Sequence, residues 1–347
     1  MRLLALFLLP LLLFSEEMMT RTQSLMGTFV HLSLPSRYNA QISESFRYIK
    51  NIENALSSYD QDALVYRLNK DHTVPYNPYL AQALKDSQQY YTDTEGYFDI
   101  TIGSISKKLY HFGEDNSTIP SKQDLQHAKM NIHAIIINDK TITTEPDITI
   151  DLGGMGKGYA VDKVVSSLQE QNITQGTIAL SGDIRCMDIC HFELQSPYSE
   201  QTFASLTSQI PQLSISTSGT YRRYVQTQEH HHLINPKTSS QGREFVSVSL
   251  FTHANNTKID TYATALSVMP KGKAYAFLKA HEELGFVLVE SNGQIVYGNL
   301  EDLVRLEWLN YKEKATMPNI NKNTNTKSAS ENSFIHPDTT NPKEINK

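Results

Sequence analysis

Cysteine is scarce in this chain. The 347 residues contain two, Cys186 and Cys190, four positions apart. Three interpretations are open: a small-loop disulfide in an oxidising compartment, two unpaired thiols in a strand and turn, or part of a zinc site. A zinc site needs more ligands than this segment offers, because His191 is the one histidine beside the pair. The disulfide and the unpaired thiols therefore remain as equal alternatives.

The sequence also lacks a basic excess and a membrane-length apolar run at its N-terminus. The formal net charge of -6 gives no electrostatic footprint for nucleic acid. The N-terminal apolar run extends from Leu3 to Phe14, twelve residues. A membrane-spanning helix needs about 20 residues. Nucleic acid is therefore not an expected partner, and this run is too short to span a membrane comfortably.

The same N-terminal run is typical of a secretory signal. Arg2 precedes the run, and a basic residue before a short apolar stretch is the pattern of a signal peptide. The cleavage site is poor, because Ser15 is followed by Glu16 and Glu17. We interpret residues 1–19 as a signal peptide or an uncleaved N-terminal anchor. Export to a bacterial periplasm follows, and an anchor would hold the protein at the inner membrane.

The rest of the chain divides into a folded domain, residues 20–315, and a polar tail, residues 316–347. The tail is rich in Asn, Thr, Ser, Lys and Pro, and such a composition predicts disorder. Apolar spacing and turn residues in the domain predict helices and strands mixed along the chain, with many antiparallel strand pairs. This pattern favours an α+β fold over a regular βαβ series. Predicted helices cover 41–66 with a break near Ser58 and Asp60, 78–91, 121–129, 159–169, 258–269 and 273–279; predicted strands cover 20–36, 134–137, 141–143, 148–150, 176–180, 191–194, 213–217, 221–225, 245–252, 286–289 and 294–297.

A glycine-rich turn stands out between Ile148 and Leu168. A short apolar β-run ends in Asp151, and the amphipathic helix pattern resumes at Tyr159. Between them lie Gly153, Gly154, Gly156 and Gly158, with Lys157 among them. Glycines serve where the backbone needs positive φ or must approach a ligand closely, and helix N-termini favour phosphate. The alternative is a plain strand–turn–helix joint in which glycine permits tight packing.

Two polar side chains share a face of the helix predicted near the C-terminal end of the domain. Asp260 and Thr264 are four positions apart, so both point the same way from a helix. A carboxylate and a hydroxyl can hold a hard cation through oxygen, and Mg²⁺ completes its shell with water and phosphates. The alternative is that Asp260 caps or solvates the helix start while Thr264 packs.

Three consecutive histidines, His230 to His232, are a second candidate site. They allow a metal cluster, a single base or a solvated loop. Adjacent residues of a strand point to opposite faces, so three consecutive ligands for one metal are unfavourable. We expect one histidine, His232, to face a site.

Taken together, these segments resemble the ApbE family of FAD:protein FMN transferases. The resemblance covers about residues 21–303. It is carried by eight motifs in the family's order: MGTFV, SSYDQDALVYRLN, GYFDITIG, DLGGMGKGYAVDKV, LSGDIR, STSGTYRRY, HHLINP and KIDTYATALSVM.

The resemblance implies a fold, a reaction and a site. The fold would be ApbE-like, with largely antiparallel sheets, packed helices and two interleaved lobes with the site between them. The reaction would be Mg²⁺-dependent transfer of the FMN half of FAD onto a Thr or Ser hydroxyl of an acceptor protein, with release of AMP. The family's metal ligands match the Gly154 carbonyl, Asp260 and Thr264. Its motif histidine matches His232, a candidate catalytic base, and Asp260 is the second candidate catalytic residue. Its FAD contacts match Met26, Tyr59, Tyr97, Phe98, Asp99, Asp151, Lys157 and Ile234.

Two departures from the family pattern affect the flavin pocket. Asn235 replaces the usual aspartate, which removes a charge but can keep a turn hydrogen bond, and the segment 109–113 lacks a tryptophan that many members have.

Two rival functions stay open: an FAD pyrophosphatase that releases FMN and AMP, and a flavin-binding protein without turnover. Tyr59 resembles the transferase type, and Asp260 with Thr264 argues against simple binding. For Phe98, core packing remains an equal alternative to flavin contact.

Overall fold

The structure is a computed structural model that describes residues 16–309. Among these residues no helix is long and apolar enough to cross a membrane. Residues 1–15 of the predicted signal segment and the predicted tail from 316 lie outside this range. The first strand begins at Met18, so two residues of the predicted segment 1–19 belong to the folded part.

The helices follow the apolar spacing of the sequence. Residues 16–309 form eight: α1 (Asn39–Leu56), α2 (Leu64–Asp71), α3 (Pro78–Asp93), α4 (Gly103–Ser106), α5 (Lys122–His127), α6 (Gly156–Glu170), α7 (Asn256–Leu266) and α8 (Lys271–Ala280). The predicted break between α1 and α2 is confirmed. Asn77 caps α3 by accepting hydrogen bonds from Tyr79 N and Leu80 N, and Pro78 occupies the first turn, where its missing N–H costs nothing.

Sixteen strands in the described residues pair into four antiparallel sheets. They are β1 (Met18–Leu25), β2 (Thr28–Pro35), β3 (Thr73–Pro75), β4 (Ile136–Ile137), β5 (Thr141–Thr143), β6 (Thr177–Leu180), β7 (Asp183–Cys186), β8 (His191–Gln195), β9 (Thr202–Ser208), β10 (Leu213–Gly219), β11 (Ile234–Asn235), β12 (Ser240–Gln241), β13 (Phe245–His253), β14 (Gly285–Glu290), β15 (Ile295–Gly298) and β16 (Val304–Trp308). The largest sheet has the order β1-β2-β6-β7-β10-β13-β14-β15, and smaller sheets are β16-β9-β8, β3-β5-β4 and β11-β12. The α+β prediction is confirmed.

The large sheet is covered on both faces. On β13, Val248 and Leu250 pack with the helices, whereas Phe251 packs with β8, β9 and β16. This division follows the alternation of side chains along a strand. The same alternation buries Val30 and Leu32 on β2 and leaves Phe29 exposed on the other face.

One lobe contains the large sheet, and the second lobe is an insertion between strands β2 and β6 of that sheet. The chain leaves the large sheet after β2 and returns to it at β6, and the residues between them include α2 to α5 and the sheet β3-β5-β4. A small apolar core joins this insertion to a later loop, because Ile105, Tyr110 and Phe112 pack with Val225 and Ile234. The two lobes are therefore interleaved along the chain.

Several predicted elements are wrong in detail. Residues 148–150 form no strand, because the Asn69 side chain takes the place of a partner: its Nδ2 donates to the Ile150 carbonyl (2.8 Å) and its Oδ1 accepts from Ile150 N (2.7 Å). Residues 221–225 contribute a single bridge between Tyr224 and His231. The prediction missed β9 and β16, and it read the hairpin β1–β2 as one strand. Met26 and Gly27 form that hairpin's turn, both with positive φ (53° and 69°).

Cys186 and Cys190 form a disulfide at the end of β7. Their Cα atoms are 5.7 Å apart, within the range that a disulfide spans. The disulfide interpretation is therefore the one that the structure supports.

Candidate active site

The predicted site residues converge on one cavity of about 730 Å³. The cavity lies between the start of α6, the middle of α7, the β1–β2 turn and loops of both lobes. Every residue that the sequence proposed for cofactor, metal or catalysis contributes to its wall: Met26, Tyr59, Tyr97, Phe98, Asp99, Asp151, Gly154, Lys157, His232, Ile234, Asp260 and Thr264. The structure thus brings the whole predicted set together, and what each residue binds stays a prediction.

The glycines before and within α6 allow close packing of backbone. A Cβ on Gly158 would lie 2.4 Å from the Asn256 carbonyl oxygen and 2.8 Å from Asp260 Cβ. None of the four glycines from 153 to 158 has positive φ, so that part of the expectation is wrong. Helix α6 begins at Gly156 and not at Tyr159, which places Lys157 in its first turn. Tight packing of α6 on α7 therefore explains the glycine at 158.

Asp260 is a buried carboxylate at this crossing. It is 2% exposed, and its Oδ2 accepts a hydrogen bond from Gly158 N (3.0 Å). Asn255 caps α7 through its side chain, accepting from Lys258 N, so Asp260 is not the helix cap. One turn further, Thr264 Oγ1 donates to the Gly154 carbonyl (3.3 Å). A carboxylate, a hydroxyl and a carbonyl form the all-oxygen donor set that a hard cation prefers, so these residues fit Mg²⁺.

A third charged residue, which the sequence prediction missed, completes this cluster. The Lys157 ammonium lies 2.8 Å from Asp183 Oδ2 and 3.3 Å from Asp260 Oδ2. Burial and the Asp260 carboxylate raise the pKa of Asp183, while the Lys157 ammonium and the Ser216 hydroxyl oppose that rise. Burial alone would lower the pKa of Lys157, but the two carboxylates raise it above its usual value. The signal for Asp183 was present in the motif LSGDIR, although its partner lies 26 positions away.

Asp151 is held by a separate set of contacts on the other side of the turn. Ser106 Oγ donates to its Oδ2 (2.7 Å) and Gly153 N donates to its Oδ1 (2.9 Å). Although burial acts in the opposite direction, Lys107 and these donors hold the pKa of Asp151 below its usual value. The Lys107 ammonium lies 3.3 Å from the centre of the Tyr59 ring, which brings this cation to the cavity edge. Sequence reasoning missed Lys107 as well.

The aromatic and polar residues predicted to contact FAD differ in their solvent exposure and in their hydrogen bonds. Tyr59 is 43% exposed and donates from its hydroxyl to the Phe112 carbonyl (2.9 Å). Phe98 is 4% exposed and belongs to the main core, so it both packs and lines the cavity. Asp99 accepts from Thr101 N (2.8 Å) and Thr101 Oγ1 (2.6 Å), while burial raises its pKa. Tyr59 is therefore the more accessible surface for a ring.

His231 and His232 have different surroundings, as the alternation of side chains predicted, and His232 is the one that lines the cavity. His231 is buried: its Nε2 pairs with the Gly242 carbonyl (2.9 Å), and its Nδ1 accepts from Leu233 N (3.2 Å). His232 lines the cavity, with Nδ1 bonded to the Arg223 carbonyl (3.1 Å). Burial and the Arg223 charge lower the pKa of His232 to about 3. His232 is thus neutral, with Nδ1–H donating and Nε2 left as an acceptor.

The two departures in the flavin pocket are accommodated by hydrogen bonds and packing. Asn235 Oδ1 accepts from Lys237 N (2.9 Å), which keeps the expected turn, and its Nδ2 donates to the Val268 carbonyl (2.9 Å). An aspartate has no N–H for this second bond. Tyr110 stacks on Phe112 with ring centres 4.7 Å apart.

Comparison with known proteins decides the family. The sequence matches the ApbE family over residues 26–288. The chain belongs to the ApbE family. Two ApbE relatives, each called FAD:protein FMN transferase, come from Klebsiella pneumoniae (strain 342) and Escherichia coli (strain K12). The first is 24% identical over 290 residues, covering 80% of this chain and 91% of the relative. The second is 25% identical over 293 residues, covering 77% and 83%.

Solved structures show the same ApbE fold. The crystal structure of the ApbE protein from Thermotoga maritima superposes with a TM-score of 0.71 at 20% identity, covering 80% of this chain and 96% of that one. The flavin transferase ApbE from Vibrio cholerae gives 0.69 at 22% identity, covering 84% and 97%. The family and fold that the motifs implied are therefore confirmed.

Proposed function

We propose that this protein transfers the FMN part of FAD to a Thr or Ser hydroxyl of an acceptor protein, with Mg²⁺, and releases AMP. The observation that carries the proposal is the convergence on one cavity wall of an all-oxygen cation set and a neutral histidine. Membership of the ApbE family and the activity named for its relatives support the same reaction.

The oxygen set would hold Mg²⁺ through Asp260, Thr264 and the Gly154 carbonyl. Bound there, Mg²⁺ supplies a Lewis acid that neutralises charge on the phosphoryl oxygens. The positive end of the α6 dipole and the Lys157 ammonium lie on the same side of the cavity. Together they orient the pyrophosphate for in-line attack.

The reaction forms one bond and breaks one at the FMN phosphorus. The acceptor hydroxyl oxygen bonds to that phosphorus, and the bond from the phosphorus to the bridging oxygen breaks, so AMP leaves with the bridging oxygen. His232 Nε2 accepts the hydroxyl proton, because its Nδ1 is engaged by the Arg223 carbonyl. A positioned general base contributes about 10²–10⁴-fold in rate, and the lowered pKa of His232 places its contribution at the low end of that range.

We also propose that the protein acts outside the cytoplasm. The apolar run from Leu3 to Phe14 and the disulfide between Cys186 and Cys190 support export to an oxidising compartment, the periplasm. An uncleaved run would associate the enzyme with the inner membrane. Cell fractionation, with the N-terminal sequence of the recovered protein, tests this proposal.

Product analysis separates transfer from hydrolysis. The purified protein, FAD and Mg²⁺ are incubated with a threonine-bearing flavoprotein domain, and with the same domain carrying valine at the target threonine. Transfer predicts AMP in a one-to-one ratio with modified acceptor, and no AMP with the valine domain. Continued release of AMP and free FMN without an acceptor would replace the proposal with an FAD pyrophosphatase. Intact FAD in both mixtures would contradict either activity.

A further inference from the structure

We propose that Asp183 is a positioning residue, whose charge lets Lys157 and a divalent cation lie against Asp260 at the same time. This inference rests on the proposed function for its cation. It assigns a role to a buried carboxylate that is not itself among the predicted ligands.

Asp183 is fixed between the sheet and the lysine. It is 1% exposed, its Oδ1 accepts from Ser216 Oγ (2.6 Å), and its Oδ2 lies 2.8 Å from Lys157 Nζ. Ser216 lies on β10, which pairs with both β7 and β13. The Asp183 carboxylate is therefore held by rigid strands, and its two oxygens are engaged by Ser216 and Lys157.

Lys157 joins this carboxylate to the cation set. Its ammonium is 2.8 Å from Asp183 and 3.3 Å from Asp260, and the first turn of α6 fixes its backbone. A lysine beside Asp260 alone would neutralise that carboxylate and oppose a second positive charge. The contact of the Lys157 ammonium with Asp183 is shorter than its contact with Asp260. Asp183 therefore anchors the lysine, and the Asp260 carboxylate keeps enough negative charge to attract a cation.

Charge counting gives the direction of the effect. With both carboxylates ionised and Lys157 protonated, the cluster carries one negative charge. Asp183→Asn makes the cluster neutral, whereas Lys157→Met gives it two negative charges. The double variant restores one negative charge. Since charges a few ångströms apart in a buried site interact strongly, each single change should alter cation affinity by about tenfold or more.

The test measures binding of Mn²⁺ to the metal-free full chain in the absence of FAD. Binding is monitored as the loss of the electron paramagnetic resonance signal of free Mn²⁺. We expect Asp183→Asn to bind about tenfold more weakly than wild type, Lys157→Met about tenfold more tightly, and the double variant close to wild type. Thermal unfolding shows that each variant is folded. Lys157→Met tests the idea even if Asp183→Asn does not fold.

Recovery in the double variant separates charge balance from a purely structural role. A double variant as weak as Asp183→Asn, or a Lys157→Met variant with wild-type affinity, would overturn the inference. Asp260→Ala provides the reference without the cation carboxylate. Wild-type binding no tighter than that of Asp260→Ala would instead contradict the cation site in the proposed function.

Discussion

Asp260 and His232 both line the cavity, and in the proposed reaction they would take complementary tasks. Asp260 is buried, and its Oδ2 accepts a hydrogen bond from Gly158 N–H and lies beside the Lys157 ammonium. His232 is kept neutral by burial and by Arg223. The carboxylate can thus hold a cation while the imidazole accepts a proton.

Replacing His232 should lower turnover without unfolding the protein. We expect His232→Gln to reduce kcat by about 10²-fold, the low end of what a positioned base contributes, because the pKa of His232 is lowered. The measurement is the initial rate of acceptor labelling at saturating FAD. A rate within a factor of about two of wild type would assign the base elsewhere.

The lowered pKa of His232 also bears on how kcat/KM depends on pH. Because its pKa is lowered to about 3, His232 stays neutral in the free enzyme and does not become protonated as the pH falls from 8 to 5. The kcat/KM profile should therefore show no inflection from His232 in that range. An inflection near pH 6.5 that disappears in His232→Gln would contradict the assigned state.

The sequence revealed the residues whose partners are close along the chain. Asp260 and Thr264 share a helix face because they are four positions apart, and alternation singled out His232. Asp183 and Lys107 escaped prediction because their partners, Lys157 and Asp151, are distant in sequence. Such pairs require the tertiary structure.

At the scale of elements, the crossing of α6 over α7 sets the geometry of the cation site. Gly158→Ala places a Cβ against the Asn256 carbonyl at 2.4 Å. Overpacking of this kind should lower the free energy of unfolding by about 1–3 kcal/mol and weaken Mn²⁺ binding, because Asp260 moves away from the turn. Urea unfolding and Mn²⁺ titration measure the two effects.

Gly272 in α8 is the matched control for this change. A Cβ there meets no atom within 4 Å. We expect Gly272→Ala to keep wild-type Mn²⁺ affinity and to raise stability by roughly 0.5–1 kcal/mol, since alanine favours helix. Equal loss of stability in both variants would show that close approach at Gly158 is not the cause.

Element boundaries were predicted where local signals are strong. Pro78 and Asn77 mark the start of α3, and the turn at Gly293 marks the hairpin β14–β15. Residues 148–150 misled the prediction because an alternating apolar run predicts a strand, whereas here the Asn69 amide satisfies the backbone. A side chain that bonds the backbone in place of a neighbouring strand leaves no periodic pattern in the sequence.

For the whole molecule, the buried neutral His231 predicts loss of stability in acid. Burial lowers its pKa from 6.5 to about 4, and its Nδ1 must stay unprotonated to accept from Leu233 N. Its contribution is present above pH 6.5 and is lost as the pH falls towards 4, because the unfolded chain binds a proton that the folded chain refuses.

The size of this effect follows from the shift in pKa. Between pH 7 and pH 4.5 the free energy of unfolding should fall by about 2 kcal/mol from this residue. Urea unfolding at the two values, for wild type and His231→Gln, measures it. The variant should lose less stability than wild type between the two values. Equal losses would show that His231 does not cause the dependence.

The overall architecture was predictable only as a class. Antiparallel signals and mixed helices indicate α+β, and the motif order indicates the family. The packing of sheet β16-β9-β8 on the large sheet was not predictable, because β9 and β16 carry weak alternation and pair over long separations. That packing supplies the second face of the core through Phe251 and Leu206.

The mass of an acceptor protein tests the central claim most directly. A threonine-bearing flavoprotein domain is incubated with FAD, Mg²⁺ and either wild-type protein or Asp260→Ala, and its intact mass is measured. We expect wild type to add one FMN and the variant to label the acceptor at least about a hundredfold more slowly, since the cation contributes several kcal/mol. An unmodified acceptor with wild type, or equal labelling by Asp260→Ala, would contradict the claim.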